Sequence, residues 1–365
     1  MASTSIQWTG GPGGEPGYTF NPWLGCMKVH EGCTHCYAER SQPVTMRKGG
    51  RVDWGEVWQG GKRVVVADTT WKNPLRWARE AAAAGQRRKV FCASLADVLE
   101  VPSAPKSWPK GWSPARVQSA MEYLGNVQKA LEAARERLWS TIRSTAMVVD
   151  GQLGGLTLEQ VKGLGFGMDL PRMAGLDWLL LTKRPENWHL VPEDVRPLVW
   201  LGTSISSQET ADEWVPRLIE ARGFRYRFLS VEPMTGPVDL THIPGEIGVG
   251  LHSRDVLRGW NIHHDDGDQY TVEPWTKVDW VILGGESGAE ARPFSMEWAE
   301  SLVQQCREAG VACFVKQLGS DPREKYGRLD ASPLPLKDSK GGDWEEWPEA
   351  LRVRQWPNAF GGAKP

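Results

Sequence analysis

Cys26, Cys33 and Cys36 fall within eleven residues of a 365-residue chain that has six cysteines in all. Six residues separate the first pair and two the second. Thiols gathered this closely are metal ligands or redox groups more often than core filler. Four would suggest a closed structural zinc site; three leave a fourth position for something else. Recruiting His30 or His35 would give a Cys3His zinc site. Alternatively, three thiolates can hold a cubane iron–sulfur cluster whose fourth iron stays open to a substrate or cofactor. Cys92, Cys306 and Cys313 sit in apolar strand or helix patterns and read as small buried hydrophobes.

The elements that must carry this loop are legible as short apolar runs, each closing on polar residues. They are "KVFCASLAD" (89–97), "DWLLLTKRPE" (177–186), "VWLGTSIS" (199–206), "RFLSVEP" (227–233), "DWVILGGESG" (279–288) and "VACFVKQLG" (311–319). A shorter run, "YTFNPW", precedes Cys26. The runs are continuous rather than alternating, as in parallel strands covered on both faces. Helical spacing lies between several of them. Val117, Met121, Leu124, Val127, Leu131, Ala134 and Leu138 recur at three and four, after Ser113 as cap and Pro114 in the first turn. Ser206 with Glu209 predicts a capping box, and Ser295 with Gly310 brackets a further helix. The pattern predicts an α/β fold, an open parallel sheet or a partial or complete parallel (β/α) barrel, over 1–320 as a single domain. Residues of about 145–176 and 241–277 break the rhythm and read as two loop insertions, and 321–365 as an irregular tail.

In parallel α/β folds ligands bind at the carboxyl ends of strands. Those ends supply Ser94 and Asp97, then Lys183 and Arg184, Thr203 and Ser204, Ser230 and Glu232, Glu286 after Gly284 and Gly285, and Lys316 and Gln317. The cysteine loop follows the first strand and is expected on the same rim. "HHDDGD" at 263–268 is a second metal candidate, although an exposed polar loop is the plainer reading.

Composition sets the class. At 40% hydrophobic and 24% charged the chain is globular, and its longest apolar runs are far too short to span a bilayer. The first residues lack a signal-peptide pattern, so the expected location is cytoplasmic, where a disulfide framework is disfavoured. The net charge of −2 gives no global field for nucleic acid. The twenty tryptophans suit packing or stacking.

The blocks "NPWLGCMKVHEGCTHCYAER", "LLLTKRPE", "WLGTSIS", "RFLSVEPM", "DWVILGGESG" and "FVKQLG" resemble, in order, a phage-associated three-cysteine family of unknown function, and more distantly the radical S-adenosylmethionine (SAM) superfamily. The resemblance covers most of 5–320 outside the insertions. It implies a barrel of the radical SAM type. A 4Fe-4S cluster would sit on Cys26, Cys33 and Cys36, with SAM on the open iron and an external electron donor. His35 or Tyr37, flanking the third cysteine, would stack on adenine, and Ser94 and Asp97 are the candidates beside the second strand. The other strand-end groups, Lys183, Thr203, Ser204, Ser230, Glu232 and Glu286, would complete cofactor binding. The substrate is a small molecule or, in a phage setting within a host cytoplasm, a nucleotide or nucleic acid. Two other readings stay open: an α/β protein with a structural zinc, and a nucleic-acid-binding phage protein using "QRRK" (86–89), Lys183, Arg184 and the tryptophans.

Overall fold

A computed structural model describes residues 4, 6–41, 51–149, 152–153, 174–245, 252–264, 270–324 and 333–357. The chain divides into two compact units, Pro16–Leu180 with Leu190–Leu198 and Met1–Thr4, and Val199–Pro365 with Ser5–Glu15 and Leu181–His189.

In the first unit, strand β1 (Tyr18–Thr19) is followed by β2 (Trp23–Leu24), which pairs antiparallel with β3 (Val64–Val65). Strand β4 (Arg87–Cys92) lies parallel to β1. A two-residue pair, β5 (Val148–Val149) and β6 (Gln152–Leu153), precedes β7 (Gly175–Thr182), which runs parallel to β4 with Val90 opposite Trp178 and Phe91 opposite Leu179. The last two residues of β7 belong to the second unit.

Helix α1 (Tyr37–Arg40) is one turn; α2 (Asp68–Ala83) and α3 (Pro114–Thr145) cover the strands. Helix α2 buries Trp71, Pro74, Trp77, Ala78 and Ala81 along one stripe, and Trp77 stacks on Tyr18 with centroids 4.4 Å apart. Helix α3 starts as its sequence predicts, with the Ser113 side chain accepting from Arg116 N and Pro114 at its first position. Its stripe, however, is buried only from Leu124 on. Met121, counted into the stripe by periodicity, is 47% exposed, so the first turns of α3 stand clear of the core. The start of the sheet is held by a buried ion pair. Arg87 Nη2 lies 2.9 Å from Asp177 Oδ1 and also donates to the carbonyls of Ala146 and Leu176.

The second unit carries β8 (Val199–Ile205) and β9 (Tyr226–Val231), parallel to each other. A second sheet of four antiparallel strands follows: β10 (Ile243–Pro244), β11 (His252–Asp255), β12 (Trp260–His264) and β13 (Tyr270–Pro274). Strand β14 (Trp280–Gly284) returns beside β9, β15 is Phe294–Ser295, β16 (Ala312–Gln317) pairs parallel with β14, and β17 (Pro322–Arg323) pairs with β15. Helices α4 (Gln208–Glu220) and α5 (Met296–Ala309) pack on the parallel strands. Trp8, Trp200, Phe228 and Trp280 fill the space against them.

All seven apolar runs are therefore strands, and their mutual pairing within each unit is parallel. The α/β class stands. Three local expectations change. The cap of α4 is Ser207, not Ser206, because Thr210 Oγ1 reaches back to accept from both Ser206 N and Ser207 N. The 241–277 segment is an antiparallel sheet rather than a loop where it is described; residues 246–251 and 265–269, and with them most of "HHDDGD", lie outside the described residues. Within 145–176, residues 150–151 and 154–173 also lie outside them. The tail is not merely irregular: Val315 N donates to Val353 O and Gln355 N to Cys313 O, so the tail pairs along β16. Among the described residues no helix is long and apolar enough to cross a membrane.

Candidate functional site

The cysteine loop leaves β2 through Gly25, whose φ of +103° favours glycine. A Cβ there would stand 2.2 Å from the Lys62 carbonyl oxygen. Gly25 N donates to Leu95 O and Gly55 N to Cys26 O, which ties the loop root to two neighbouring segments. Replacing Gly25 with alanine is expected to cost about 1–3 kcal/mol from the forced φ alone, with the clash added. The checks are a urea midpoint and the reactivity of Cys26 toward a thiol reagent, which should both change. An unaltered midpoint would show that the loop root adapts freely.

Beyond Gly25 the loop folds on itself. His30 caps a short 3-10 turn, Glu31–Cys33, through Nδ1, which accepts from Gly32 N at 2.9 Å. Cys33 N donates to His30 O, and Cys36 N to Cys33 O, so these two thiols leave consecutive turns. Cys33 is buried, and Cys26 and Cys36 are half-buried. The Cys26 thiol donates to Met27 O at 3.4 Å, while Cys36 packs beside Leu24, Ala38, Val52 and Leu95. Lys28 Nζ lies 2.8 Å from Glu39, which straps the loop to α1. All six cysteines are free thiols.

Three thiols on one short loop, none in a disulfide, suit a thiophilic group in kind and number. Among the described residues, however, no three His, Cys, Asp or Glu side chains are gathered so as to hold an ion. Loading would require the loop to draw its sulfurs together. The remaining cysteines differ. Burial pushes the Cys92 thiol far up, and a hydrogen bond to Cys313 together with burial does the same to Cys306. Such thiols stay protonated and unreactive.

Of the residues expected near the loop, Tyr37 is 59% exposed and donates its hydroxyl to Ser94 O at 3.0 Å. His35 is half-buried. Asp97 is buried, and its Oδ1 accepts from Leu99 N, so it shapes the turn after β4. Sequence reasoning missed Asn21. Its Oδ1 accepts from Leu95 N at 2.7 Å, and its Nδ2 donates to Ser94 Oγ at 3.3 Å. Its place directly after a strand, in "FNPW", was the available signal.

The second unit assembles its own polar group at the strand ends. Ser204 and Ser230 are register partners and both are buried. Two residues further along the second strand, Glu232 takes the Ser230 hydroxyl at 3.1 Å and the Lys316 ammonium at 2.8 Å. Gly284 lies close to the pair: a Cβ there would stand 3.3 Å from Glu232 Oε1. The register shift between β14 and β16 at Leu283/Gly284 sets Gln317, not Lys316, opposite Gly284. Ser206, fully buried after β8, has a hydroxyl oxygen with no partner among the described residues. A half-buried carboxylate–ammonium pair can receive a ligand bearing both charges, such as an amino acid group.

The other expected residues have structural partners. Thr203 donates to Thr182 O, and Thr182 Oγ1 accepts from Arg184 N. Lys183 is half-buried beside them. Glu286 is held by Arg292 through both carboxylate oxygens at 3.0 and 3.1 Å, which closes the loop after β14. Arg292 carried no sequence signal beyond its charge.

A family profile matches residues 3–113 and 169–348, which take in the cysteine loop and every parallel strand, and pass over α3. Neither the curated proteins nor the solved structures contain a match to this chain. The profile covers well over half of the sequence, and the chain belongs to the family described as protein of unknown function (DUF5131).

Proposed function

We propose that this protein is an iron–sulfur enzyme related to the radical SAM type, with a 4Fe-4S cluster on Cys26, Cys33 and Cys36. One observation carries the reading: three reduced thiols on a single loop at a strand end, with the chain's other three cysteines buried elsewhere. Three ligands match a cluster with one open iron better than they match a closed zinc site. When bound, such a cluster would supply one-electron reduction of SAM and, through it, hydrogen abstraction from a substrate.

The chain's own residues have definable parts in this. The cap at His30 and the Lys28–Glu39 pair fold the loop so that Cys33 and Cys36 start from adjacent turns. Tyr37, anchored on Ser94 O, is a flat exposed ring beside the third cysteine, suited to stacking on adenine. The second unit, taken by itself, presents in Glu232 and Lys316 a carboxylate and an ammonium suited to a ligand that carries both charges. Arrangement of the strands as a partial (β/α) barrel, a phage origin, residence in a reducing cytoplasm, an external electron donor and a nucleotide or nucleic-acid substrate all belong to this same proposal.

The test is preparation without oxygen. The expected protein is brown, with broad absorbance near roughly 400 nm and about four irons per chain. Reduced with dithionite, it releases 5′-deoxyadenosine from SAM. A colourless protein holding one zinc per chain would overturn the reading in favour of a structural Cys3His site on His30 or His35.

A further inference from the structure

In the first unit, three tryptophans meet at the surface. Trp58 contacts Trp108 and Trp112 with ring centroids 5.7 and 5.8 Å apart, and Trp108 and Trp112 are 5.5 Å apart. All three are only half-buried. The Arg116 guanidinium lies 4.0 Å from the Trp112 ring centroid. A trio that merely pinned the loop to α3 would need no charge around it. Yet between Glu100 and Glu122 the chain carries three cations, Lys106, Lys110 and Arg116, and no carboxylate. All three cations are exposed; on the Trp58 turn the one acid is Glu56.

The start of α3 repeats the imbalance. A helix N-terminus carries partial positive charge and favours acidic residues in its first turn. Here the first turn has none, and Arg116 sits in its place. That placement is locally unfavourable, and an anion would relieve it. The first turns of α3 also project from the core, with Met121 and Tyr123 exposed.

We propose that this surface binds single-stranded nucleic acid, with bases stacking on Trp108 and Trp112 and phosphates held by Lys106, Lys110 and Arg116. Aromatic platforms beside a cationic track are how proteins hold single strands without reading sequence. Its acid-free span and its aromatic rings select a polyanion with exposed flat bases over a protein partner. The proposal does not depend on the cysteine loop, and equilibrium binding tests it whether or not a cluster is present.

The experiment uses the full chain and fluorescein-labelled dT12 and rU12, followed by anisotropy between about 50 and 200 mM salt. Wild-type protein is expected to bind at least one of the two, with affinity falling as salt rises. The triple variant Lys106→Gln, Lys110→Gln, Arg116→Gln should bind about tenfold or more weakly at low salt, with the log–log salt slope reduced by about 2. Trp112→Ala should lose about five- to a hundredfold, and Trp112→Phe should recover much of it. No binding of either oligomer at about 100 μM, the weak end for non-specific contacts, would overturn the proposal. So would a triple variant as tight as wild type, or a 12-base-pair duplex bound as tightly as dT12.

Discussion

Replacing Cys33 with alanine is expected to leave protein prepared without oxygen colourless, with iron near zero and no 5′-deoxyadenosine released from SAM. A cubane held by three thiolates loses one iron's anchor, and two remaining thiolates on one loop do not retain it. Cys33 is the central residue of the three and the buried one. Cys313→Ala is the control. Its thiol lies against Cys306 in the core, and its loss should lower stability while iron and colour persist. A brown Cys33→Ala protein with a full iron complement would remove Cys33 from the ligand set. A colourless Cys313→Ala protein that remains folded would move the site to the second unit.

Asp177→Ala should lower the first unit's stability by about 3–5 kcal/mol. Arg87 and Asp177 are both buried, and Arg87 also donates to Ala146 O and Leu176 O. Removing the carboxylate leaves a guanidinium with no counter-charge in the sheet. The desolvation already incurred is then uncompensated, which is why breaking such a pair costs more than the pair contributes. Urea denaturation reads the effect as a lowered midpoint with little change in slope. The double variant Arg87→Met, Asp177→Leu should recover most of the loss. A shift under about 1 kcal/mol for Asp177→Ala, the range of a surface pair, would mean that water reaches Arg87.

The strands and the thiol loop were legible before any coordinates. Runs such as "DWLLLT" and "DWVILGG" are apolar on both faces, and only strands covered on both sides place every residue out of water. The Ser113–Pro114 cap and the Gly310 stop were equally local, because a helix end is satisfied by its own neighbours. Local signals also misled. The apolar recurrence through Val117 and Met121 fits a buried helix face, yet among the described residues none packs over Met121 closely enough to bury it. Ser206 and Glu209 spelled a capping box, but Thr210 satisfied the same amides one position later.

By itself, then, the sequence determined the α/β class, the parallel strands, the number of thiols on the loop and the polar character of each strand end. Only the tertiary structure decided which of those polar groups meet. Glu232 finds Lys316 beside a register shift at Gly284, Asn21 finds Leu95 across seventy-four residues, and Glu286 is claimed by Arg292. Periodicity records whether a residue faces water, because burial repeats with the element. It carries no record of register, which is set by pairing between segments far apart in the chain.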